Sequence, residues 1–518
     1  MIPNWMQNSP TPFSSILVAN RGEIAVRIIH AAKEAGLRGI AVYSDSDINS
    51  LHAEIADESI HLPGKTLSET YLNIEAIISA AKSSGAEAVH PGYGFLSERA
   101  NFARKVSDAG LVWIGPSPES IEVMGDKISA RKKMIDFGVP IIPGEELVIT
   151  NSQNYMEPLA AAAARVGYPL LLKASAGGGG KGMRAVYEPK LLKNQYEAAS
   201  REAAAAFGDG TVYVERLLSK SRHIEIQVLC DKHGNSIHLN ERDCSLQRRH
   251  QKVIEETPCL ILSDELRQSM GKSAIIAAKS VNYIGAGTVE FLLSTKGEFF
   301  FLEMNTRLQV EHPITELVTG IDIVQKQFEI AAGMELGIIQ EEININGHSI
   351  EARIYAENPS NGFLPATGIL SKWDTPSSPG VRIDSGFREG DKITVDFDPM
   401  LAKLIVHSSS REAAIRRLDT ALSDFIALGV ITNIGFLKDV INDNAFSNGM
   451  VTTDFLDNAP DELFSEGAID PSHLIAIASS AQKLGLDKIN YDQKNYVLSD
   501  DYNGHGSDPF RTLSRNFP

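Results

Sequence analysis

Glu303, Asn305, Arg307, Gln309 and Glu311 recur at every second position in one nine-residue run, with Met304, Leu308 and Val310 between them. An extended chain sends alternate side chains to one face, so the spacing predicts a polar floor turned towards a ligand. A solvated edge strand would show the same alternation. The run, however, directly follows Phe299-Phe-Phe-Leu302, which reads as a strand buried on both faces. The residue types suggest phosphate and anion chemistry. Glu303 and Asn305 offer hard oxygens of the kind Mg²⁺ takes beside substrate phosphates. Arg307 can clasp an anion through two N–H groups, and Glu311 suits a general base. Glu290, in Thr288-Val-Glu-Phe-Leu292, supplies a second acid. With Glu303 on a neighbouring strand it would form the carboxylate pair of a metal–phosphate clamp.

Two other segments point to an anionic substrate. Lys173-Ala-Ser-Ala-Gly-Gly-Gly-Gly-Lys-Gly-Met183 follows the apolar strand Tyr168 to Leu172. It matches neither the P-loop nor the dinucleotide fingerprint. A lysine at a strand end beside a glycine loop still suits closure over a triphosphate, because glycine backbone can approach phosphate oxygens closely. Glu241 to Lys252 contains Arg248, Arg249, His250 and Lys252, a positive cluster in a chain of formal net charge −17. That acidic balance argues against a general nucleic-acid binder, while a local basic pocket remains compatible with it.

These residues need several elements to hold them. At 518 residues, 43% hydrophobic and 22% charged, the chain is globular and long enough for more than one packed unit. Ile16 to Ala19, Gly39 to Tyr43 and Ala88 to His90 read as strands. Ile24 to Gly36 (stripe Ile24, Ile28, Ala31, Ala32, Ala35) and Tyr71 to Ser83 read as helices. This alternation predicts βαβ units and a parallel, Rossmann-like sheet. His223 to Leu229 alternates as a strand with one polar face. Ser349 to Tyr355 is a further strand, and Arg411 to Leu428 and Leu474 to Leu484 are helices. Ser499 to Pro518 reads as a loose tail. The three cysteines form no CxxC pair, which fits a reducing compartment. The start has no secretory pattern, and no run of about 18 apolar residues is present to cross a membrane. A cytoplasmic enzyme is expected, with an organellar form lacking its targeting peptide as the alternative.

Seven segments, in order, carry a family resemblance: Ala19-Asn-Arg-Gly-Glu-Ile-Ala25, His90 to Glu98, Gly125-Asp-Lys127, Lys173 to Met183, Glu241 to Lys252, Glu303 to Pro313 and Asp398-Pro-Met400. The chain resembles the biotin carboxylase component of biotin-dependent carboxylases, within the ATP-grasp superfamily. The resemblance implies an N-terminal Rossmann-like domain over 14–126 and an ATP-grasp domain over 127–330 with a mobile lid near 144–218. It further implies a C-terminal biotin carboxylase domain over 345–460, leaving 461–518 as an extension of unknown role. By position, Lys127 and Lys173 would hold ATP phosphates, Gly179 and Gly180 belong to the lid, and Glu215 and Leu217 lie around adenine. His223, Gln247 and His250 would be further nucleotide contacts. Glu290, Glu303 and Asn305 would bind Mg²⁺ or Mn²⁺. Lys252, Arg307, Gln309 and Val310 would bind bicarbonate, Glu311 would deprotonate it, Arg353 would stabilise the biotin enolate, and Tyr93 would lie beside biotin.

The implied reaction uses ATP and bicarbonate to carboxylate biotin on a separate biotin carboxyl carrier protein, for a separate carboxyltransferase subunit. The expected setting is an acetyl-CoA or propionyl-CoA type carboxylase, with a homodimer as the expected assembly. A pyruvate carboxylase subunit would share these residues. Another ATP-grasp ligase would share Lys173, Glu290, Glu303 and Asn305, but would have no reason to carry Arg307 to Glu311 with Arg353. Ala176, Arg216 and Phe397 depart from the usual glycine, lysine and tyrosine. No Met-Lys-Met biotinylation segment is present, and the stretch after about 460 is expected to be too short for a transferase domain.

Overall fold

β1 (Ser15–Val18) is buried along its whole length, and the chain turns from it into the Gly22–Glu34 helix. With β2 (Arg38–Tyr43), β3 (Glu58–His61), β4 (Ala88–His90) and β5 (Val112–Trp113) it forms a parallel sheet in the order β3-β2-β1-β4-β5. This is the expected Rossmann-like arrangement, with central strands covered on both faces. The 22–34 helix is buried more widely than its predicted stripe, at Glu23, Ala25, Val26 and Ile29 as well. It touches Val381–Ser385 and the Ile323–Ala331 helix besides its own sheet. The helix expected from Tyr71 starts at Ile74, because Asn73 caps it by accepting from the Ala76 N–H. Tyr71 lies before the cap, buried, and donates to Asp47 at 2.5 Å.

The structure is a computed structural model that describes residues 2–145, 155–174 and 183–464. Gly179, Gly180, the expected 474–484 helix and the expected tail lie outside the described residues.

A small antiparallel sheet contains β6 (Leu170–Ala174), β7 (Met183–Val186) and β8 (Val212–Arg216), with Gly144–Glu145 along the outer side of β8. The strand expected at 168–172 is shifted, since Pro169 has no N–H to give a ladder. Lys173 therefore sits within β6, not after it.

The site is built on a larger sheet of eight strands: β9 (Arg222–Cys230), β10 (Ser236–Arg248), β11 (Gln251–Thr257), β12 (Gly285–Leu293), β13 (Phe299–Asn305), β14 (His348–Tyr355), β15 (Val381–Ser385) and β16 (Met400–Ser408). Their order is β13-β12-β9-β10-β11-β14-β16-β15, with every neighbouring pair antiparallel. The β11–β14 pairing joins the second and third expected regions in one sheet.

Three expectations change here. Phe299 to Leu302 is not buried on both faces: Phe299, Phe300 and Leu302 are only partly covered. Phe299 and Phe301 pack edge-on against Phe291, while Leu302 faces a cavity. The polar run does not continue as one strand, since pairing with β12 ends at Asn305 and Glu311 lies at the start of the His312–Thr319 helix. The helix from Arg411 stops at Asp424, and Ile426–Leu428 pairs as a strand with Lys372–Asp374.

Candidate active site

Four ionisable side chains lie in register across four adjacent strands: Arg242 on β10 opposes Glu225 on β9, Glu225 opposes Glu290 on β12, and Glu290 opposes Glu303 on β13. Directly opposed like charges repel, so three carboxylates in a row need cations. Arg242, fully buried, pairs with Glu225 and also donates to Gln227 and Thr315 at 2.8 and 3.0 Å. Lys252 reaches Glu225 at 2.5 Å and Glu290 at 3.0 Å. His223 Nε2 stands 3.2 Å from Glu290. Burial disfavours the imidazolium, yet the Glu290 charge outweighs it and lifts His223 above its ordinary value. Burial likewise opposes ionisation of Glu290, and Lys252 and His223 overcome it to hold Glu290 well below the carboxylate range. Glu303 has no ion pair or hydrogen bond among the described residues. Burial and the facing Glu290 push it upward.

The row continues into the expected anion site. Asn305 donates to Glu290 at 2.8 Å and accepts from Arg307 at 2.9 Å. Arg307 also donates to Gln309 at 3.0 Å, and its Nε lies 3.0 Å from Glu98. Gln309 donates to Glu290 at 3.2 Å. These residues converge because the loop after β13 folds back, which replaces the single-strand geometry implied by their alternation.

Glu311 is fully buried beneath this layer. Lys252 donates to one of its oxygens at 2.7 Å and Arg353 to the other at 3.0 Å. Burial alone would favour the acid. Lys252 and Arg353 reverse that and hold Glu311 ionised, far below the usual range. Arg353 turns its Nε to Glu255 at 2.6 Å.

A cleft of about 1020 Å³ opens above these groups. Lys127, Lys173, Glu215 and Leu217 line it, and Lys173 donates to Glu215 at 3.0 Å. Burial lowers the Lys127 ammonium from its ordinary value. His223, Gln247, His250, Lys252, Glu290, Glu303, Asn305, Arg307, Gln309 and Val310 line it as well, together with Arg353 and Tyr93. Of the predicted site residues, Glu311 sits under the lining, while Gly179 and Gly180 lie outside the described residues. Arg248 and Arg249 do not line the cleft. Arg248 instead lies over the Phe363 ring at 4.0 Å and pairs with Glu357 at 3.5 Å. The Tyr93 hydroxyl donates to Glu23, which burial pushes up to about 7.

Three family models match the chain consecutively. They are the biotin carboxylase N-terminal domain over residues 12–121, the carbamoyl-phosphate synthase L chain ATP-binding domain over 126–339, and the biotin carboxylase C-terminal domain over 351–458. Biotin carboxylase 2 of Bacillus subtilis is 48% identical over 444 residues, which covers 86% of this chain and 99% of that one. The chain belongs to the biotin carboxylase family. The mitochondrial methylcrotonoyl-CoA carboxylase subunit alpha of Dictyostelium discoideum is 49% identical over 471 residues, or 91% of this chain. Of that longer relative the chain spans 67%. Among solved structures, the biotin carboxylase domain dimer of Hydrogenobacter thermophilus 2-oxoglutarate carboxylase, in complex with MgADP, ADP and bicarbonate, superposes with a TM-score of 0.84 at 44% identity. That match covers 88% of this chain and 99% of that one.

Within this biotin carboxylase fold, sequence reading missed Glu225, Arg242, Glu98 and Glu255. Glu225 carried a usable signal, since it shares the polar face of the His223 to Leu229 alternation with His223 and Gln227. Arg242 and Glu98 stood inside segments that carried the resemblance. Nothing in the local pattern marked Glu255. Among the described residues, no helix is long and apolar enough to cross a membrane.

Proposed function

We propose that this chain catalyses the first half-reaction of an acyl-CoA carboxylase, the ATP- and bicarbonate-dependent carboxylation of biotin on a separate carrier protein. The observation that carries this reading is Glu311, held between Lys252 at 2.7 Å and Arg353 at 3.0 Å, with Lys252 also 3.0 Å from Glu290. One lysine thus links the phosphate side of the cleft to the base, and one arginine links the base to the side assigned to biotin.

Glu290, Glu303 and Asn305 fit a divalent cation. They offer hard oxygens on adjacent strands, and Glu303 makes no ion pair or hydrogen bond among the described residues, with Lys127 and Lys173 acting on it only from a distance. Mg²⁺ or Mn²⁺ held there would neutralise the ATP phosphates and orient the γ-phosphate. Lys127 and Lys173 would add positive charge on the same side. Glu215, Leu217, His223, Gln247 and His250 would take the rest of the nucleotide, and the glycine run with Gly179 and Gly180 would close over it. Arg307, Gln309, Val310 and Lys252 would hold bicarbonate.

Bicarbonate gives its proton to Glu311 and attacks the γ-phosphorus. The bond to the β-phosphate oxygen breaks, and ADP and carboxyphosphate result. Lys252 and Arg353 keep Glu311 ionised at rest. They must lean towards the substrate anions before Glu311 becomes basic enough to act. Carboxyphosphate then splits its C–O bond into CO₂ and phosphate, and phosphate takes the N1′ proton of biotin. Arg353 pairs with the enolate, which attacks CO₂ to form carboxybiotin. Tyr93 would stand beside the biotin ring. Water must be kept out, because carboxyphosphate would hydrolyse.

The proposed partners are a biotin carboxyl carrier protein, a carboxyltransferase subunit and a second copy of this chain. The acyl-CoA acceptor rests on the name of the Dictyostelium discoideum relative, and the dimer on the solved relative's assembly. The proposed location is the cytoplasm, supported by three free, buried cysteines.

The test is ADP release from ATP with Mg²⁺ and bicarbonate, with and without free biotin, for the wild type, Arg307→Ala and Glu311→Ala. Biotin-stimulated, bicarbonate-dependent release that both substitutions abolish is expected. Turnover indifferent to biotin but responsive to an amine or another carboxylate would overturn the assignment.

A further inference from the structure

Glu351 is fully buried on β14, two residues before Arg353 and on the same face of the strand. It lies directly opposite Glu255 on β11. Glu255 uses one oxygen on Arg353 and leaves the other without a hydrogen bond; neither oxygen of Glu351 has a partner. The charged neighbours are Arg353 on β14, Lys403 on β16, Glu255 and Lys252 on β11, and Glu311 with His312 at the helix packed over this face. All the cations are engaged elsewhere. Arg353 divides its N–H groups between Glu255 and Glu311. Lys403 serves Glu23 at 3.2 Å, Asp384 at 3.6 Å and the Val310 carbonyl at 3.0 Å. Lys252 serves Glu225, Glu290 and Glu311. His312 is held neutral by burial.

Two carboxylates opposed in a dry interior cannot both ionise, and a buried carboxylate without one hydrogen bond is costly. We propose that Glu351 is a neutral carboxylic acid in the working enzyme, and that by staying neutral it acts as a positioning residue for Arg353. This rests on the reading of Arg353 as the arginine that meets the biotin enolate. With Glu351 neutral, Glu255 is the one anion on the sheet side of Arg353, balanced by Glu311 on the other. Ionised Glu351 would add a second anion on the sheet side, draw Arg353 down and withdraw it from the cleft. Burial outweighs the attraction of Lys403, and the facing Glu255 adds to it, so Glu351 lies well above the ordinary carboxyl range.

The experiment pairs infrared spectroscopy of the full chain, carrying ¹³C-labelled glutamate, with the pH dependence of the KM for free biotin. The expected wild-type spectrum has a protonated-carboxyl band at neutral pH that Glu351→Gln removes. Glutamine copies the neutral acid, so the variant should keep its neutral-pH KM within about twofold. In alkali the wild-type KM should climb by up to about tenfold per pH unit once Glu351 ionises, and the variant should lack that limb. A missing band, a variant KM already raised tenfold at neutral pH, or an alkaline limb unchanged in the variant would overturn the proposal. If the variant does not fold, the wild-type spectrum decides alone. A band persisting above the pH at which Glu255 ionises supports the proposal, and its absence overturns it. Failure of wild-type turnover to respond to biotin would instead sink the functional reading, leaving the infrared result to stand by itself.

Discussion

Glu290 and Glu303 face each other in register across β12 and β13, yet among the described residues only Glu290 has close ion pairs, while Lys127 and Lys173 act on Glu303 from a distance. Glu303 therefore carries a like-charge cost in the free enzyme. Its folded-state pKa is raised, so at neutral pH its ionisation costs stability. Glu303→Gln is expected to stabilise the nucleotide-free protein by about 1 kcal/mol and to lower turnover by about 10²-fold or more through loss of the metal clamp. Thermal melting without nucleotide, and ADP release titrated with Mg²⁺, check the two halves. A variant that melts lower and still responds to Mg²⁺ as wild type does would sink the assignment.

Glu225 neutralises Arg242, which has no solvent exposure, and shares Lys252. Removing the acid leaves a buried guanidinium without its counter-ion. Glu225→Ala should cost about 3–5 kcal/mol. Urea unfolding measures this directly; a loss below 1 kcal/mol, where surface pairs usually fall, would show that Arg242 finds other compensation.

His90 is fully buried, donates from Nε2 to the Gln327 amide oxygen at 3.2 Å, and is lowered by burial to about 4. The unfolded chain binds its proton at higher pH than the folded one does. Its contribution is thus present above about 6.5 and is lost as pH falls from there towards about 4. His90→Gln should flatten the acid limb of the urea-stability profile over that window by up to about 3 kcal/mol. An unchanged acid limb would mean that His90 is protonated in the native state.

Arg353 clasps Glu255 with its Nε and a terminal nitrogen, each at 2.6 Å, and the same terminal nitrogen reaches Glu311 at 3.0 Å. A lysine ammonium has no planar fork to copy the paired contact on Glu255 while still facing Glu311. Arg353→Lys should lose about 10²-fold or more of the biotin-stimulated rate, while bicarbonate-dependent ATP cleavage without biotin stays within about threefold. Equal loss of both rates would place Arg353 in the phosphate step instead.

The sequence made the facing carboxylate pair legible because Glu290 and Glu303 each sit in a short apolar strand, and two such strands joined by a Thr-Lys-Gly turn pair in a predictable way. The parallel N-terminal sheet was readable for a similar reason: its apolar runs and amphipathic helices are local patterns. The polar run from 303 to 311 was read as one face of a strand, and that part failed because alternation cannot show where pairing ends. It ends at Asn305, and the following loop brings Arg307, Gln309 and Glu311 together by folding back. Glu255 and Glu351 were invisible for a different reason. In sequence they look like ordinary strand acids, and only the His312–Thr319 helix lying over that part of the sheet makes them dry.

β11, which carries Lys252, is hydrogen-bonded to β14, which carries Arg353, although about a hundred residues separate them along the chain. On the proposed roles, the phosphate-side lysine and the biotin-side arginine are therefore held on neighbouring strands, whose repeat is about 4.8 Å, and not by a tether. No hinge between those strands could open one step without tearing the other. Any recombination of this gene with a foreign C-terminal half would have to deliver a strand with the same alignment, or both chemistries would be lost together.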